Sequence, residues 1–255
     1  MQLFIPLLSL ISSFYLAGCV HQSTVGSYDN SALIAAIDNS IVHPQDRDTV
    51  VYVRGDEIIY NGYLTPEANA CVYALVDANK DLKTVHMNSR GGDVDLGMDL
   101  GDFIFDHKLD VRVDAMCGSS CANYVFPAGA KKYLGKHAVI AYHGGANSLM
   151  FDTSELDLLG EDERQQVQAG FEAYAAGIRA RETAFFERMG VDGNIVLIGQ
   201  LPKYDHLYEY QDRYDGWYYT PESWPKLGVD NVVLSDGVWE YRQVSDEFNL
   251  FPVTI

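Results

Sequence analysis

Two adjacent serines and a downstream histidine stand out in the segment MCGSSCANYVFPAGAKKYLGKHAVIAYHGG, residues 116–145. Ser119 and Ser120 lie between two cysteines, and His143 closes a short apolar run. A serine hydroxyl is a weak nucleophile that needs a neighbouring base, and histidine is the most frequent base near neutral pH. These residue types suit acyl transfer if the fold brings a serine and His143 together. Taken singly, they are more typical of a helix N-cap and a core histidine.

The segments around these residues alternate between strand and helix patterns. Short runs such as KTVHMN, DVRVDAM and HAVIAYH predict strands, and a β-rich run, DTVVYVRGDEIIYNGYLT, precedes them. Helical spacing follows the Thr65-Pro66 start signal and recurs in DLGMDLGDFIFDHK, while CANYVFPAGA is predicted to begin a helix. This alternation predicts an α/β domain with parallel strands and crossover helices.

A long charged segment from Ser154 to about Arg188 is predicted to form one amphipathic helix. Its apolar residues keep mostly three-to-four spacing, at Val167, Phe171, Tyr174, Ile178, Phe185 and Met189. Such a helix either lies against the body of the domain or protrudes as an arm that mediates self-association. The second alternative makes a homo-oligomer an expectation.

Glycines and serines mark the ends of two neighbouring predicted strands. Gly91 and Gly92 come after KTVHMN, and the serines come after DVRVDAM. In α/β sheets of this kind, ligand-binding groups gather at the carboxyl ends of the strands. Glycines permit close backbone approach, and a helix N-terminus presents N–H groups without partners. Both segments are therefore expected to face a reacting oxygen.

The sequence MNSRGGDVDLGMDLGDFI followed by SSCANYVFPAGAKKYLGKHAVIAYHGG resembles the proteolytic subunit of Clp-type serine proteases. It is more distantly similar to the signal peptide peptidase A group, and both belong to the ClpP/crotonase superfamily. The resemblance extends from about residue 48 to 236. It implies a fold of stacked ββα units and a Ser-His-Asp triad.

The family spacing selects one of the two serines. In that family the nucleophile stands eight residues before the alanine of an Ala-Gly pair, so Ala128-Gly129 points to Ser120. Ser119 is the alternative if the turn is one residue longer. The family histidine closes a short apolar strand, a place that His143 fills.

The third member of the triad is an aspartate six positions before a Pro-Glu pair, which selects Asp215, with Asp212 as the alternative. By the chemistry of such triads, His143 takes the serine proton and Asp215 orients the imidazole. The N–H groups of Gly92 and Cys121, beside Gly91, are expected to form the oxyanion hole.

The cysteines and Arg90 depart from the family pattern. Arg90 stands where the Clp subunit usually has proline, and Cys117 and Cys121 flank the serines. Leaving Cys19 aside, three cysteines remain, so one pair and one free thiol are expected, with Cys117 to Cys121 or a pair involving Cys71 as alternatives. No CxxC or HExxH spacing occurs, so no metal site is expected.

The N-terminus predicts an export signal in residues 1–18, which carry no charged side chain. Leu16-Ala17-Gly18-Cys19 resembles the lipobox of bacterial lipoproteins, in which the cysteine is lipidated; an ordinary secretory signal is the alternative. We therefore expect a lipidated Cys19 with a flexible tether over 19–47, a single domain over 48–255, and a location in the bacterial envelope facing the periplasm. Val20 favours the outer membrane by sorting rules that read this position.

The net charge of −18 disfavours nucleic acid as a partner, because phosphate contacts need clustered Lys and Arg. An ATP-driven partner ring is not expected outside the cytoplasm. The sequence thus predicts a lipid-anchored, ATP-independent serine peptidase that acts on peptides or loosely folded protein without a cofactor. The alternatives are an inactive binding or scaffold lipoprotein and, less favoured, a crotonase-type acyl-thioester enzyme.

Overall fold

The computed structural model of this chain describes residues 19–20, 49–149, 160–208, 214–243 and 248–255. The expected signal peptide, all of the expected tether beyond Val20 up to residue 47, and Asp212 lie outside the described residues. No helix within the described ranges is long and apolar enough to cross a bilayer.

Within the described ranges, ten strands form a large sheet and a small one. They are β1 (Cys19–Val20), β2 (Val50–Arg54), β3 (Glu57–Asn61), β4 (Thr84–Ser89), β5 (Asp110–Gly118), β6 (Lys132–Leu134), β7 (Val139–Ala141), β8 (Gly216–Tyr219), β9 (Val232–Leu234) and β10 (Leu250–Val253). The large sheet has the order β1-β2-β3-β4-β5-β6-β9, with β7 also paired to β5, while β8 and β10 pair with each other. Only the β2–β3 hairpin is antiparallel within these ladders, so the sheet is mixed but mostly parallel.

The helices are α1 (Pro66–Ala78), α2 (Val94–Asp106), a π-helix (Cys121–Val125), α3 (Phe126–Ala128) and α4 (Glu161–Met189). Short 3₁₀ turns occupy Ala146–Ser148, Gly193–Val196, Ile198–Gln200, Pro202–Leu207 and Trp224–Leu227. The predicted start of α1 is confirmed, because the side chain of Thr65 accepts a hydrogen bond from the N–H of Ala68. With strands alternating with helices, the expected α/β class is confirmed.

The core lies between the sheet and the helices. Val85, Val111 and Val113 on the central strands are fully buried, as are Met98 and Leu100 on α2. β5 pairs with two strands along one edge: its first half pairs with β6 and its second half with β7. This split brings the end of β7 beside the end of β5.

The predicted long helix is present as α4, with 29 residues; the predicted first residues of this helix, from Ser154, lie outside the described part of the chain. Its C-terminal half packs on α2, where Arg181 and Arg188 form ion pairs with aspartates spaced along that helix: Asp95, Asp99, Asp102 and Asp106. Its N-terminal half exposes Val167 and Tyr174, at 43% and 48% of their surface. The helix thus combines a packed C-terminal half with an N-terminal half that exposes two large apolar side chains.

Candidate active site

The serines lie in a tight turn between β5 and the π-helix. Ser119 has a φ of 53°, in the left-handed region that residues other than glycine seldom adopt. A strained turn of this kind between a strand and a helix presents the nucleophilic serine in many hydrolases. The unusual backbone of Ser119 is therefore a functional signal that the residue types alone did not give.

Ser119, and not Ser120, contacts the histidine. The Ser119 Oγ and His143 Nε2 atoms are 2.7 Å apart. The Ser120 hydroxyl instead donates to the carbonyl oxygen of Gly92 at 2.7 Å, and only 2% of Ser120 is exposed. The partner of His143 is therefore Ser119, and not Ser120, which the family spacing selects.

A π-helix follows the serine turn and changes the residue count between the turn and Ala128. Its backbone bond runs from the N–H of Phe126 to the carbonyl of Cys121, five residues apart, where an α-helix would span four. One extra residue is thereby accommodated between the serine turn and Ala128, which stands nine positions after Ser119. A single-turn π-helix has no sequence signature, so counting residues from Ala128-Gly129 misses it.

Strand pairing brings the serine and the histidine together. Gly118 pairs with Ala141 at the ends of β5 and β7, and the N–H of Ser119 donates to the carbonyl of Ala141 at 2.9 Å. Ser119 and His143 thus emerge just beyond the last paired residues of two adjacent parallel strands. This is the carboxyl edge of the sheet at which a site was expected.

A disulfide closes the serine turn. Cys117 and Cys121 are bonded, with Cα atoms 5.2 Å apart, and both are fully buried. Cys71 is also disulfide-bonded, so the expectation of one free thiol is wrong for this cysteine. The bridge spans both serines and restricts the backbone that sets the position of the Ser119 hydroxyl.

The expected oxyanion hole changes in two of its members. The Gly91 N–H donates to Ser89 Oγ at 3.0 Å and is therefore engaged, and Cys121 is fully buried. The Gly91 carbonyl accepts from the N–H of Leu64 at 2.8 Å. The Gly91 carbonyl and the Gly92 N–H belong to the same peptide unit, and in a trans peptide these two groups point in opposite directions. Because the carbonyl points toward Leu64, the Gly92 N–H points away from it.

The second N–H available to an oxyanion is that of Ser120. The Ser119 carbonyl accepts from the N–H of Asn123 at 2.8 Å, so the Ser120 N–H points back out of the helix N-terminus. Gly92 lines both cavities together with Ser119 and His143. The N–H groups of Gly92 and Ser120 are thus the donors that this backbone offers to an oxyanion.

Gly91 leaves the space that this arrangement needs. Its φ is +97°, and a Cβ at this position would lie 2.5 Å from Gly118 O, 2.6 Å from Ser119 Cβ and 2.8 Å from Ser120 N. Any side chain here would enter the serine turn and cover the Ser120 N–H. The glycine is therefore required both by conformation and by close approach.

Three side chains hold the loop that carries His143. Gln200 Nε2 donates to the His143 carbonyl at 3.1 Å, and Asn123 Nδ2 donates to the Gly144 carbonyl at 2.7 Å. Buried Glu182 of α4 accepts from the Ala146 N–H and, through the same oxygen, from the Tyr124 hydroxyl. Sequence reasoning missed these residues, because contacts between distant segments leave no local pattern.

Partial desolvation lowers the pKa of His143 from its usual value, and a contact with its own backbone opposes the shift. A neutral imidazole that carries its proton on Nδ1 can accept one at Nε2, the atom that faces Ser119. The lowered pKa favours the neutral form that a general base requires.

Asp215 does not take the place expected of the triad acid. It is exposed, its Oδ2 accepts from the Asn249 N–H at 2.7 Å, and its own N–H donates to the Asn249 carbonyl at 2.8 Å. No carboxylate in the described residues bonds to His143. The geometry is that of a Ser-His pair, with Asp215 joining β8 to the chain before β10.

Two cavities meet at the Ser119-His143 pair, and both include Gly92. The aromatic pocket, about 310 Å³, is lined further by Tyr63, Arg90, Met116, Tyr142 and Phe248. The polar pocket, about 560 Å³, is lined further by Asn123, Asn147, Ser148, Leu149 and Gln200. An extended substrate can thus lie across the serine with one group in each cavity.

No cluster of three or more His, Cys, Asp or Glu that could hold a metal ion occurs in the ranges that the structure describes. A scan against protein-family models and a search of curated proteins each find no match to this chain.

Proposed function

We propose that this protein is a serine hydrolase in which Ser119 is the nucleophile and His143 is the general base. The observation that carries the proposal is the 2.7 Å contact between Ser119 Oγ and His143 Nε2, made from a turn whose φ is 53°. A nucleophile and base within hydrogen-bond reach of each other are the signature of covalent acyl transfer.

The reaction follows from these positions. Ser119 Oγ attacks the substrate carbonyl while His143 Nε2 takes the hydroxyl proton. The N–H groups of Gly92 and Ser120 stabilise the oxyanion, a role in which one donor typically contributes about 3 to 4 kcal/mol. His143 then returns the proton to the leaving group, and water releases the acyl group by the same steps in reverse order.

The substrates we propose are peptides or loosely folded protein, and the fold we propose is ClpP/crotonase-like with stacked ββα units. The support is the motif resemblance around the glycine pair and serine turn, together with the mostly parallel sheet. We propose a lipid anchor on Cys19 and a periplasm-facing location, with the outer membrane favoured by Val20, on the lipobox resemblance alone. The lipid is attached to the cysteine sulfur, so the anchored form requires a Cys19 thiol that is not engaged in a disulfide. No nucleotide, metal or other cofactor is required by the proposed chemistry.

Self-association through the N-terminal half of α4 is part of this proposal. Val167 and Tyr174 are the large apolar side chains exposed there. Light scattering should give a mass above 28.4 kDa for the chain and a lower mass for Val167→Glu. A strict monomer for the unchanged chain would contradict this part of the proposal.

The second candidate function is a binding or scaffold module with an inactive site. The observation that favours it is the placement of Asp215, whose carboxylate is bonded to Asn249 and not to His143. Serine triads depend strongly on the acid that orients the histidine.

Labelling with a fluorophosphonate probe separates the two functions. The full-length protein should label, Ser119→Ala and His143→Ala should not, and Ser120→Ala should label within about tenfold of the wild-type rate because its backbone N–H remains. Absence of labelling in the wild-type protein, with circular dichroism showing a folded chain, would favour the binding module.

A further inference from the structure

Arg90 lies in the wall of the aromatic pocket, two residues before Gly92. A Cβ built on Gly118 would be 3.4 Å from the Arg90 carbonyl oxygen, so the Arg90 backbone adjoins the serine turn. The guanidinium carbon is 5.8 Å from the centroid of the Phe248 ring, which lines the same pocket. The cation therefore belongs to a cavity that opens on the Ser119-His143 pair.

Arg90 has no anionic partner in the described part of the chain. Its Nε is buried and makes no hydrogen bond. By contrast, Arg112, Arg181 and Arg188 each pair with carboxylates. These three arginines thus have their charge compensated by carboxylates, and the pocket arginine does not.

Partial burial of a guanidinium without an anionic partner costs free energy, and an anionic ligand that binds it offsets this cost. Arginine stays charged at all working pH values and presents donors in a planar fork that fits a carboxylate. Hydrogen bonds between a guanidinium and a carboxylate are stronger than neutral ones, and they gain further when water is excluded. The net charge of −18 repels an anion at long range. The attraction that holds an anion in this pocket must therefore come from Arg90 itself.

We propose, resting on the proposed hydrolase function, that the aromatic pocket receives a substrate carboxylate and that Arg90 binds it. The site then prefers peptides that place an acidic group next to the scissile bond. The carboxylate can come from an Asp or Glu side chain or from the C-terminus of the peptide. The partly exposed pocket aromatics, Tyr63 and Phe248, contact the aliphatic part of that residue.

Two sets of synthetic eight-residue peptides test this specificity. In the first, an alanine-rich host carries Glu, Gln, Leu or Lys at one central position; in the second, the Gln peptide has a free or an amidated C-terminus. Cleavage by the full-length protein is read by mass spectrometry for wild type, Arg90→Gln, Arg90→Lys and Lys131→Gln. The last variant removes one exposed positive charge outside both pockets and serves as the control.

We expect the Glu peptide to have a kcat/KM about 10- to 100-fold above that of the Gln peptide, the range of a charge-assisted hydrogen bond. Arg90→Gln should bring the ratio near one, Arg90→Lys should retain part of it, and Lys131→Gln should keep it. The alternative supporting result is a kcat/KM for the free C-terminus that exceeds that for the amidated one by the same factor, while the Glu and Gln peptides are cleaved equally. This result would assign the bound carboxylate to the C-terminus of the peptide.

Failure of this proposal is distinguishable from failure of the hydrolase function. A wild-type protein that labels with fluorophosphonate but shows neither ratio above about threefold overturns the Arg90 proposal alone. If the protein neither labels nor cleaves, the same Glu and Gln peptides are titrated calorimetrically into Ser119→Ala. Tighter binding of the Glu peptide by tenfold or more, lost when Arg90→Gln is added, supports carboxylate recognition, and equal binding overturns it.

Discussion

The serine turn and the segment that enters β8 were both expected to supply catalytic groups, and they are built in opposite ways. The serine turn is buried, closed by the Cys117–Cys121 disulfide and packed against Gly91. Asp215 lies at an exposed strand start, where its carboxylate bonds only backbone. The serine turn thus holds Ser119 rigidly beside His143, whereas the Asp215 carboxylate makes no bond to the imidazole.

The largest expected effect comes from filling the space beside the serine turn. Gly91→Ala should lower kcat/KM by about 100-fold or more, because displacement by about 1 Å has this effect on positioned groups. It should also destabilise the fold by about 1 to 3 kcal/mol through backbone strain.

Gly55→Ala is the matched control for Gly91→Ala, since Gly55 also has a positive φ, of +63°, but has no heavy atom within 4 Å of an added Cβ. It should share the strain and keep the activity. Equal activities of the two variants, measured beside thermal melting, would show that the serine turn is not tightly constrained.

The disulfide provides the next test of the rigid region. Replacing Cys117 and Cys121 together by alanine should lower kcat/KM by about tenfold, because the left-handed backbone of Ser119 loses its covalent support. For so short a loop, the chain-entropy relation gives a stability loss of about 2 kcal/mol. Urea denaturation and peptide cleavage measure the two effects, and unchanged activity at reduced stability would assign the bridge a purely structural role.

The pH profile distinguishes a Ser-His pair from a triad. His143 must be neutral to act as a base, and desolvation lowers its pKa below the usual value of about 6.5. The acid limb of kcat/KM should therefore have its midpoint below 6.5, so that activity persists into mildly acidic solution. A buried carboxylate partner would raise this pKa, and a midpoint above 7 would point to one.

The smallest effect is expected at the exposed region. Asp215→Asn should change kcat/KM by less than about threefold, whereas the same change in an assembled triad lowers kcat by roughly 10⁴. Loss of the bond to the Asn249 N–H should cost about 1 kcal/mol at most. A loss of activity of 10³ or more, with melting unchanged, would restore Asp215 to the role that the family spacing gives it.

Local sequence patterns determined much of the architecture. The N-cap of α1 at Thr65, the central strands and the long helix α4 all follow from residue types within one short window. The edge at which Gly92 and the serines meet also follows, because parallel strands present their carboxyl ends together.

Only the tertiary structure decided which serine meets the histidine and which groups surround the pair. The choice of Ser119 depends on the π-helix, which adds one residue between the serine and Ala128. The placement of Asp215 depends on its hydrogen bonds with the backbone of Asn249. Arg90 shares its pocket with Phe248, which lies far along the chain. Strand and helix periodicity come from neighbouring residues, whereas angstrom-level contacts come from segments that the chain brings together only when it is packed.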